Sequence, residues 1–318
     1  MVKNRFVLID AFALIHRAFH GIPPLTTSDG QLVNAVYGFT SALLSSIKNL
    51  EPEYLACGFD LPGPTRHHEV FKEYKAHRPA VPDELSSQVP YVKEVLETFN
   101  IPIISAEGYE GEDVIATVVA KIKRVIASEA KQSMIATSPA APRNDKMEFI
   151  IVTGDMDTLQ LIDENTKVYS MARGVNQAVM YDTEKVKERY GLTPEQFVDF
   201  KALKGDASDN IPGVPGIGEK GASKLISENG NLEKIYKNIE KIPLKYQTIL
   251  KENKEQAFLS QKLSKISSDA PIDFELSLAK VHDYDKEKVI ELFNELGFKS
   301  LIARLPDSHR ENNQQPLF

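Results

Sequence analysis

Short apolar runs alternate, over the first half of the chain, with stretches whose apolar positions recur every three to four residues. Arg5 to Ile9, Tyr54 to Phe59, Pro102 to Ser105 and Glu148 to Val152 have strand length and carry β-branched or aromatic residues. Between them, Ala35 to Leu50 and Leu85 to Phe99 follow a helical period, and another helix begins at Gly111. This order predicts βαβ units, hence an α/β fold with a parallel sheet covered by helices on its faces. From Thr193 to Lys265 the period is helical, interrupted by Gly and Pro turns, which predicts a second and mostly α region.

One segment breaks the pattern. Residues 127–146 are rich in Ala, Ser and Pro and show no period, so they read as a loop insertion between a helix and the strand at Glu148. Such an insertion costs little, because loop-closure entropy grows only logarithmically with length. The tail from Asp307 to Gln315 is polar and predicts disorder.

Composition narrows the class. With 42% hydrophobic and 26% charged residues in 318, the chain can bury a large core. The apolar stretch Phe6 to Ile9 stops at Asp10, far too short for a signal peptide or membrane span, so a cytoplasmic protein with no membrane partner is expected. The single cysteine, Cys57, lies in an apolar run and reads as a packed strand residue; no internal disulfide and no cysteine metal site can form.

The net charge of −7 argues, taken globally, against a polyanionic partner. The argument fails where the acids cluster, and here they do. Asp10 ends the first strand and Asp60 follows the second. Glu110, Glu112 and Asp113 open the helix after the third, Asp155 and Asp157 follow the fourth, and Asp206 and Asp209 sit in a turn entering the helical region. Strand C-termini are where ligands bind in open α/β sheets. Any one of these acids reads as solvated or as a helix cap. Nine together are different, because like charges brought close raise one another's pKa unless cations intervene. All-oxygen ligation selects a hard cation, Mg²⁺ with Mn²⁺ as substitute, and two such ions suit phosphodiester hydrolysis.

Several ordered motifs are shared with a known family: Leu25-Thr-Thr-Ser-Asp-Gly30, Asn34-Ala-Val-Tyr-Gly-Phe39, Tyr74-Lys-Ala-His-Arg-Pro79, Thr153-Gly-Asp-Met-Asp157 and Gly205-Asp-Ala-Ser-Asp-Asn-Ile-Pro-Gly-Val-Pro-Gly-Ile-Gly-Glu-Lys220. In these the chain resembles the 5′ to 3′ exonuclease domain of bacterial DNA polymerase I, within the flap endonuclease family of PIN-like fold. The resemblance implies a PIN-like parallel-sheet nuclease core at 1–192 with a helical arch at about 64–84. It further implies an α-helical helix-hairpin-helix (helix-three-turn-helix) module at 193–270, a segment at 271–305 packed on the core, and a flexible tail at 306–318. It also implies that Asp10, Asp60, Glu110 and Glu112 hold a first metal and that Asp155, Asp157 and Asp209 hold a second, with Glu112 shared and Asp113 and Asp206 acting through waters.

The same resemblance supplies a grip. Lys75 and Arg78 would neutralise the scissile phosphate and Tyr74 would stack on an unpaired base. Gly213, Gly216, Gly218 and Lys220 would form the hairpin that binds duplex phosphates, with a K⁺ ion at its turn. The implied substrates are 5′-flap or nicked duplex DNA and RNA primers, cut by a 5′ to 3′ exonuclease and flap endonuclease in replication and repair. Two departures stand out: Glu112 occupies a position where bacterial members usually have Asp, and Arg66-His67 stands where they usually have Phe-Arg, so the phosphate contact expected of Arg66 and His67 is weakened or rebuilt. Two other readings stay open: a structure-specific DNA-binding protein with reduced cleavage, which the complete acid set disfavours, and a PIN-type ribonuclease, which the hairpin disfavours. The terminal Gln314-Gln-Pro-Leu317-Phe318 resembles a bacterial sliding-clamp-binding pentapeptide, with Gln314, Leu317 and Phe318 as its contacts.

Overall fold

The computed structural model describes residues 4–135, 147–281 and 284–306; most of the expected tail, with Gln314, Leu317 and Phe318, lies outside them. Six strands form one sheet: β1 Arg5–Asp10, β2 Tyr54–Gly58, β3 Ile103–Ile104, β4 Glu148–Thr153, β5 Thr166–Ser170 and β6 Val179–Tyr181, in the order β3-β2-β1-β4-β5-β6. The first five are mutually parallel, as expected, but β6 runs antiparallel to β5 at one edge, so the sheet is mixed.

Side-chain alternation explains the apolar runs. Phe6, Leu8, Ala56, Phe149 and Ile151 enter one hydrophobic cluster, and Val7, Ile9, Leu55, Cys57, Ile150 and Val152 the other. Because both faces are buried, neither parity can be polar, and β1 and β4 read as continuous apolar segments. The first six helices are α1 Ala11–Gly21, α2 Asn34–Leu50, α3 Arg66–Val70, α4 Asp83–Ser86, α5 Val89–Thr98 and α6 Gly111–Ile135. Apolar residues of α1, α2 and α5 cover the second face, and α6 covers the first with Val114, Ile115, Val118, Val119 and Ile122.

The insertion reading of 127–146 needs correction. Helix α6 continues through Ala127 to Ile135, where Ala, Glu, Lys, Gln and Met all favour helix, and only 136–146 falls outside the described residues.

The remaining helices are α7 Thr183–Tyr190, α8 Phe197–Lys204, α9 Glu219–Asn229, α10 Leu232–Lys237, α11 Leu244–Glu252, α12 Lys254–Ser264, α13 Lys286–Glu295 and α14 Lys299–Ile302. The helical region shares its core with the sheet: Phe197, Phe200, Leu203, Leu225 and Ile235 belong to the same cluster as Phe6 and Phe149. Helix α13 packs on the other face, with Phe293 fully buried between Phe99 and Phe298. Replacing Phe293 by Ala should therefore lower unfolding free energy by ~3–5 kcal/mol, measured by urea denaturation. A loss under ~1 kcal/mol would show that α13 is not part of the cooperative core.

Candidate active site

The sheet order decides where a site can form. From β1 the chain moves to β2 and β3 on one side, then crosses to β4 on the other, so the connections diverge at the C-terminal ends of β1 and β4. A crevice opens at such a switch point. Asp10 lies at the end of β1, where its side chain also caps α1 by accepting from Ala13 N at 3.3 Å and accepts from Thr153 Oγ1 at 2.6 Å. Asp155 follows β4, held by its own N–H donating to Thr153 Oγ1 at 2.9 Å. Thr153 thus orients an acid on each side of the switch point.

The other acids extend outward from this pair. Asp60, just past β2, accepts from Gly111 N at 3.1 Å. Gly111 admits no Cβ comfortably, since one would sit 3.0 Å from Asp60 Oδ2. Glu110, Glu112 and Asp113 cluster at the start of α6, where unpaired N–H groups favour negative charge. Asp113 is fixed from both sides, accepting from Glu110 N at 3.1 Å and from Ser267 N at 2.6 Å. Asp206 and Asp209 sit in a loop closed by reciprocal backbone bonds between Asp206 and Ile211, 2.8 Å each. The base of that loop is a close backbone approach: a Cβ on Gly213 would lie 2.3 Å from Gly205 N, and both glycines have positive φ.

Mutual electrostatics link the set. Burial, then Asp60 and Asp155, push the Asp10 carboxyl up to about 7, against the Thr153 hydrogen bond. Burial and the neighbouring Asp155 likewise raise Asp157 to about 7, while Lys201 opposes the rise. Glu112 is pushed well up by burial and by Asp155, Asp157 and Glu110. Asp60 and Asp113 are raised by burial too, each with Glu110 adding to the effect.

Three cations answer this charge. Lys75 Nζ lies 2.6 Å from Glu110 and 3.8 Å from Asp209, Arg78 pairs with Asp209, and Lys201 pairs with Asp157 and, at 2.5 Å, with Asp206. Burial opposes the Lys75 ammonium, yet Glu110, Asp209 and Glu112 raise its pKa above the ordinary lysine range. Among the described residues no three acids close on one point as a ready-made metal cage, and carboxylate oxygens of Glu110, Asp157, Asp206 and Asp209 are turned to these cations instead.

The segment expected as a helical arch is mostly turns. Helix α3 has five residues, Lys75 takes a left-handed φ of 55°, and prolines at 79 and 82 keep the chain from resuming a helix before α4. It lies folded on the acids: Lys75 N donates to Asp209 O at 2.9 Å and Asn210 Nδ2 to Glu73 O at 2.6 Å. Tyr74, expected as an exposed stacking platform, is 3% exposed and donates to Asp209 at 3.1 Å while Ile211 and Leu263 pack around it. His67, expected on phosphate, sits with His68 against the Tyr74 ring, and His68 Nδ1 accepts from Thr65 N at 3.1 Å. Arg66, expected on phosphate, instead pairs with Asp269 at 2.7 Å and lies over Tyr109. Of the hairpin residues, Gly216, Gly218 and Lys220 face solvent, whereas Gly213 is buried, its N–H donating to Ser260 at 3.0 Å and its carbonyl accepting from Gln256 at 2.7 Å. Sequence reasoning missed Lys201 and Thr153.

A model of the N-terminal resolvase-like domain of 5′-3′ exonucleases matches residues 5–191, and one of their C-terminal SAM fold matches residues 192–287. The chain belongs to the 5′-3′ exonuclease family. It is 41% identical over 303 residues to the DNA polymerase I of Caldicellulosiruptor bescii, covering 95% of this chain and 33% of that protein. Against the DNA polymerase I of Bacillus subtilis it is 37% identical, covering 98% and 33%. The chain therefore spans about a third of the length of these curated relatives. Among solved structures, a phage T5 5′-exonuclease with bound zinc ions matches at TM-score 0.62 and 22% identity, covering 82% of this chain and 89% of that one. A T5 flap endonuclease complex with DNA and metal ions matches at 0.61 and 20%, covering 94% and 96%. At such identities the likeness is one of fold, which is that of the nuclease core expected from the motifs.

The mutual repulsion of these acids has a measurable signature. Carboxyls such as Asp10 and Asp157, raised from 3.8 to about 7 on folding, bind more protons in the native than in the unfolded state between those values. Stability is then full below the unfolded pKa and falls as pH rises through the folded one. In EDTA the melting temperature should drop as pH rises from about 4 to about 7, and Asp10→Asn should flatten the drop. A melting temperature that rises across that window would contradict the crowding of charge described above.

Proposed function

We propose that this chain hydrolyses phosphodiesters near a free 5′ end, on 5′-flap or nicked duplex DNA and on RNA primers, with two divalent cations. The observation that carries the reading is the set of acids past the C-terminal ends of the parallel strands that raise one another's pKa, with Lys75 paired to Glu110 and Asp209 and Arg78 paired to Asp209. Hard carboxylate donors without His or Cys suit Mg²⁺, with Mn²⁺ as substitute. Asp10, Asp60, Glu110 and Glu112 would hold one ion, Asp155, Asp157 and Asp209 the other, with Glu112 shared and Asp113 and Asp206 one water away. Bound there, such ions supply an activated water and neutralise charge on the phosphoryl oxygens.

The chain's own residues do the rest. Thr153 fixes Asp10 and Asp155 relative to one another. The Tyr74 hydroxyl bridges toward Glu110 and Asp209 and holds the basic segment against the acids. Lys75 and Arg78 can exchange their carboxylate partners for a substrate phosphate, since their side chains keep 21% and 45% exposure. Because Arg66 is committed to Asp269 and Tyr109, and His67 to the Tyr74 ring, neither replaces that pair on the phosphate. Gly216, Gly218 and the start of α9 present backbone N–H groups beside Lys220 for sequence-independent duplex contact, and turn carbonyls there offer a K⁺ site. The pentapeptide with Gln314, Leu317 and Phe318 adds a sliding clamp as proposed partner, which titration against the intact chain and one ending at Asn313 tests.

Cleavage of end-labelled 5′-flap duplex, nicked duplex with a 5′ RNA segment, and structured RNA, each with Mg²⁺ or EDTA, tests the reading. Asp155→Asn or Asp157→Asn should reduce cleavage at least ~100-fold with flap binding retained. Near-normal turnover in either variant would remove the second cation position. Changing Lys75 and Arg78 together to Ala should slow cleavage ~100-fold while weakening duplex binding under ~5-fold. Equal losses would make the segment a binding patch.

A further inference from the structure

We propose that Lys201 is a resident cation of the acidic crevice, carrying within the fold part of the positive charge that Asp157 and Asp206 need and competing with a divalent ion for it. The inference rests on the proposed assignment of Asp155, Asp157 and Asp209 to one cation position.

Lysine is among the residues least often buried without a partner. Lys201 is 3% exposed and sits mid-helix in α8, between Phe200 and Ala202, both buried. Its ammonium reaches Asp157 Oδ2 and, at 2.5 Å, Asp206 Oδ2, bridging the acid after β4 to the acid after α8. The other oxygen, Asp206 Oδ1, accepts from Ser208, whose N–H donates at 2.8 Å and whose hydroxyl donates at 2.6 Å.

The contrast with the other two cations defines the role. Lys75 and Arg78 project from an irregular surface segment and keep solvent contact, so a phosphate can draw them away. Lys201 is rooted in a helix whose Phe197, Phe200 and Leu203 belong to the main core cluster, and its ammonium is enclosed with two carboxylates. No substrate phosphate is needed to account for it, and a methionine of similar length would fill the same space if packing were its only duty. A fixed positive charge this close to Asp157 satisfies the acid when no divalent ion is there. By Coulomb repulsion it also weakens the binding of such an ion. The buried pair therefore trades cation affinity for a stable empty site.

The test uses the intact chain, Lys201→Met, which removes the charge at similar length, and Lys201→Arg, which keeps it. Free Mn²⁺ is counted by electron paramagnetic resonance during titration of chelator-stripped protein, and thermal unfolding is followed in EDTA and in saturating Mn²⁺. Lys201→Met should melt earlier than the parent in EDTA, gain more from Mn²⁺, and bind its weaker Mn²⁺ ion about tenfold tighter. Lys201→Arg should titrate like the parent. If Lys201→Met binds Mn²⁺ as the parent does, or more weakly, the competing-cation role is overturned and Lys201 is a packing or orienting residue. Should Lys201→Met not fold in EDTA, Lys201→Gln purified with Mn²⁺ and then dialysed gives the same comparison. Failure of the underlying assignment looks different: Asp157→Asn would leave Mn²⁺ binding unchanged, whatever the Lys201 variants do, and the proposal would fall with it.

Discussion

Carboxylates gathered at one end of a parallel sheet repel one another, and every other feature of this site answers that repulsion. Burial makes it worse, because water no longer screens the charges, and the Asp10, Glu112 and Asp157 carboxyls are pushed up by burial together with their acidic neighbours. A fold gains nothing in stability from such an arrangement. It persists here through hydrogen bonds from Thr153, Gly111, Ser208 and Ser267 and through three ammonium or guanidinium groups, two from the segment before α4 and one from α8. The surrounding structure is, in that sense, scaffolding for charges that would otherwise separate.

That constraint also explains why the helical region is fused to the sheet rather than hung beside it. Asp206 and Asp209 reach the crevice only because the loop bearing them is pinned at its base, where Gly205 and Gly213 bring two backbones closer than any Cβ allows. Ser260 and Gln256 of α12 grip Gly213 from the opposite side, and Ser267, just beyond α12, grips Asp113. A hinge anywhere along this route would let the second group of acids drift from the first. The shared hydrophobic cluster, running from Phe6 in β1 to Leu225 in α9, removes that freedom.

The parts of this design legible in the sequence were those set by local pattern. β1, β2 and β4 announce themselves because burial on both faces makes them uniformly apolar, and Asp10, Asp60, Asp155 and Asp157 are conspicuous because they end or follow such runs. β5 and β6 escape notice: Thr166-Lys-Val-Tyr-Ser170 alternates buried and half-buried residues, and a three-residue edge strand carries too little pattern to be read. Helix α1 begins at the residue after β1, so its period is hidden by the strand before it. In the site, motif resemblance located the acids and the basic segment, but not the direction the segment would face. Tyr74 and Lys201 look like surface residues in sequence; only partners distant in the chain, Glu110 and Asp209 for Tyr74's hydroxyl together with Asp157 for Lys201, bring them inside.

The basic segment and the crevice therefore share one set of oxygens. Glu110 and Asp209, assigned to different cation positions, are joined in this structure through Lys75 and the Tyr74 hydroxyl. Any divalent ion that takes those oxygens must compete with Lys75, and Lys75, once displaced, is an unpaired charge at the mouth of the site. A phosphate is the partner that resolves both, neutralised by the freed lysine on one side and the ions on the other. Under the proposed assignment cation loading and substrate capture would be one coupled event, with the apolar seat of Tyr74 on Ile211 and Leu263 anchoring the segment while Lys75 and Arg78 change partners.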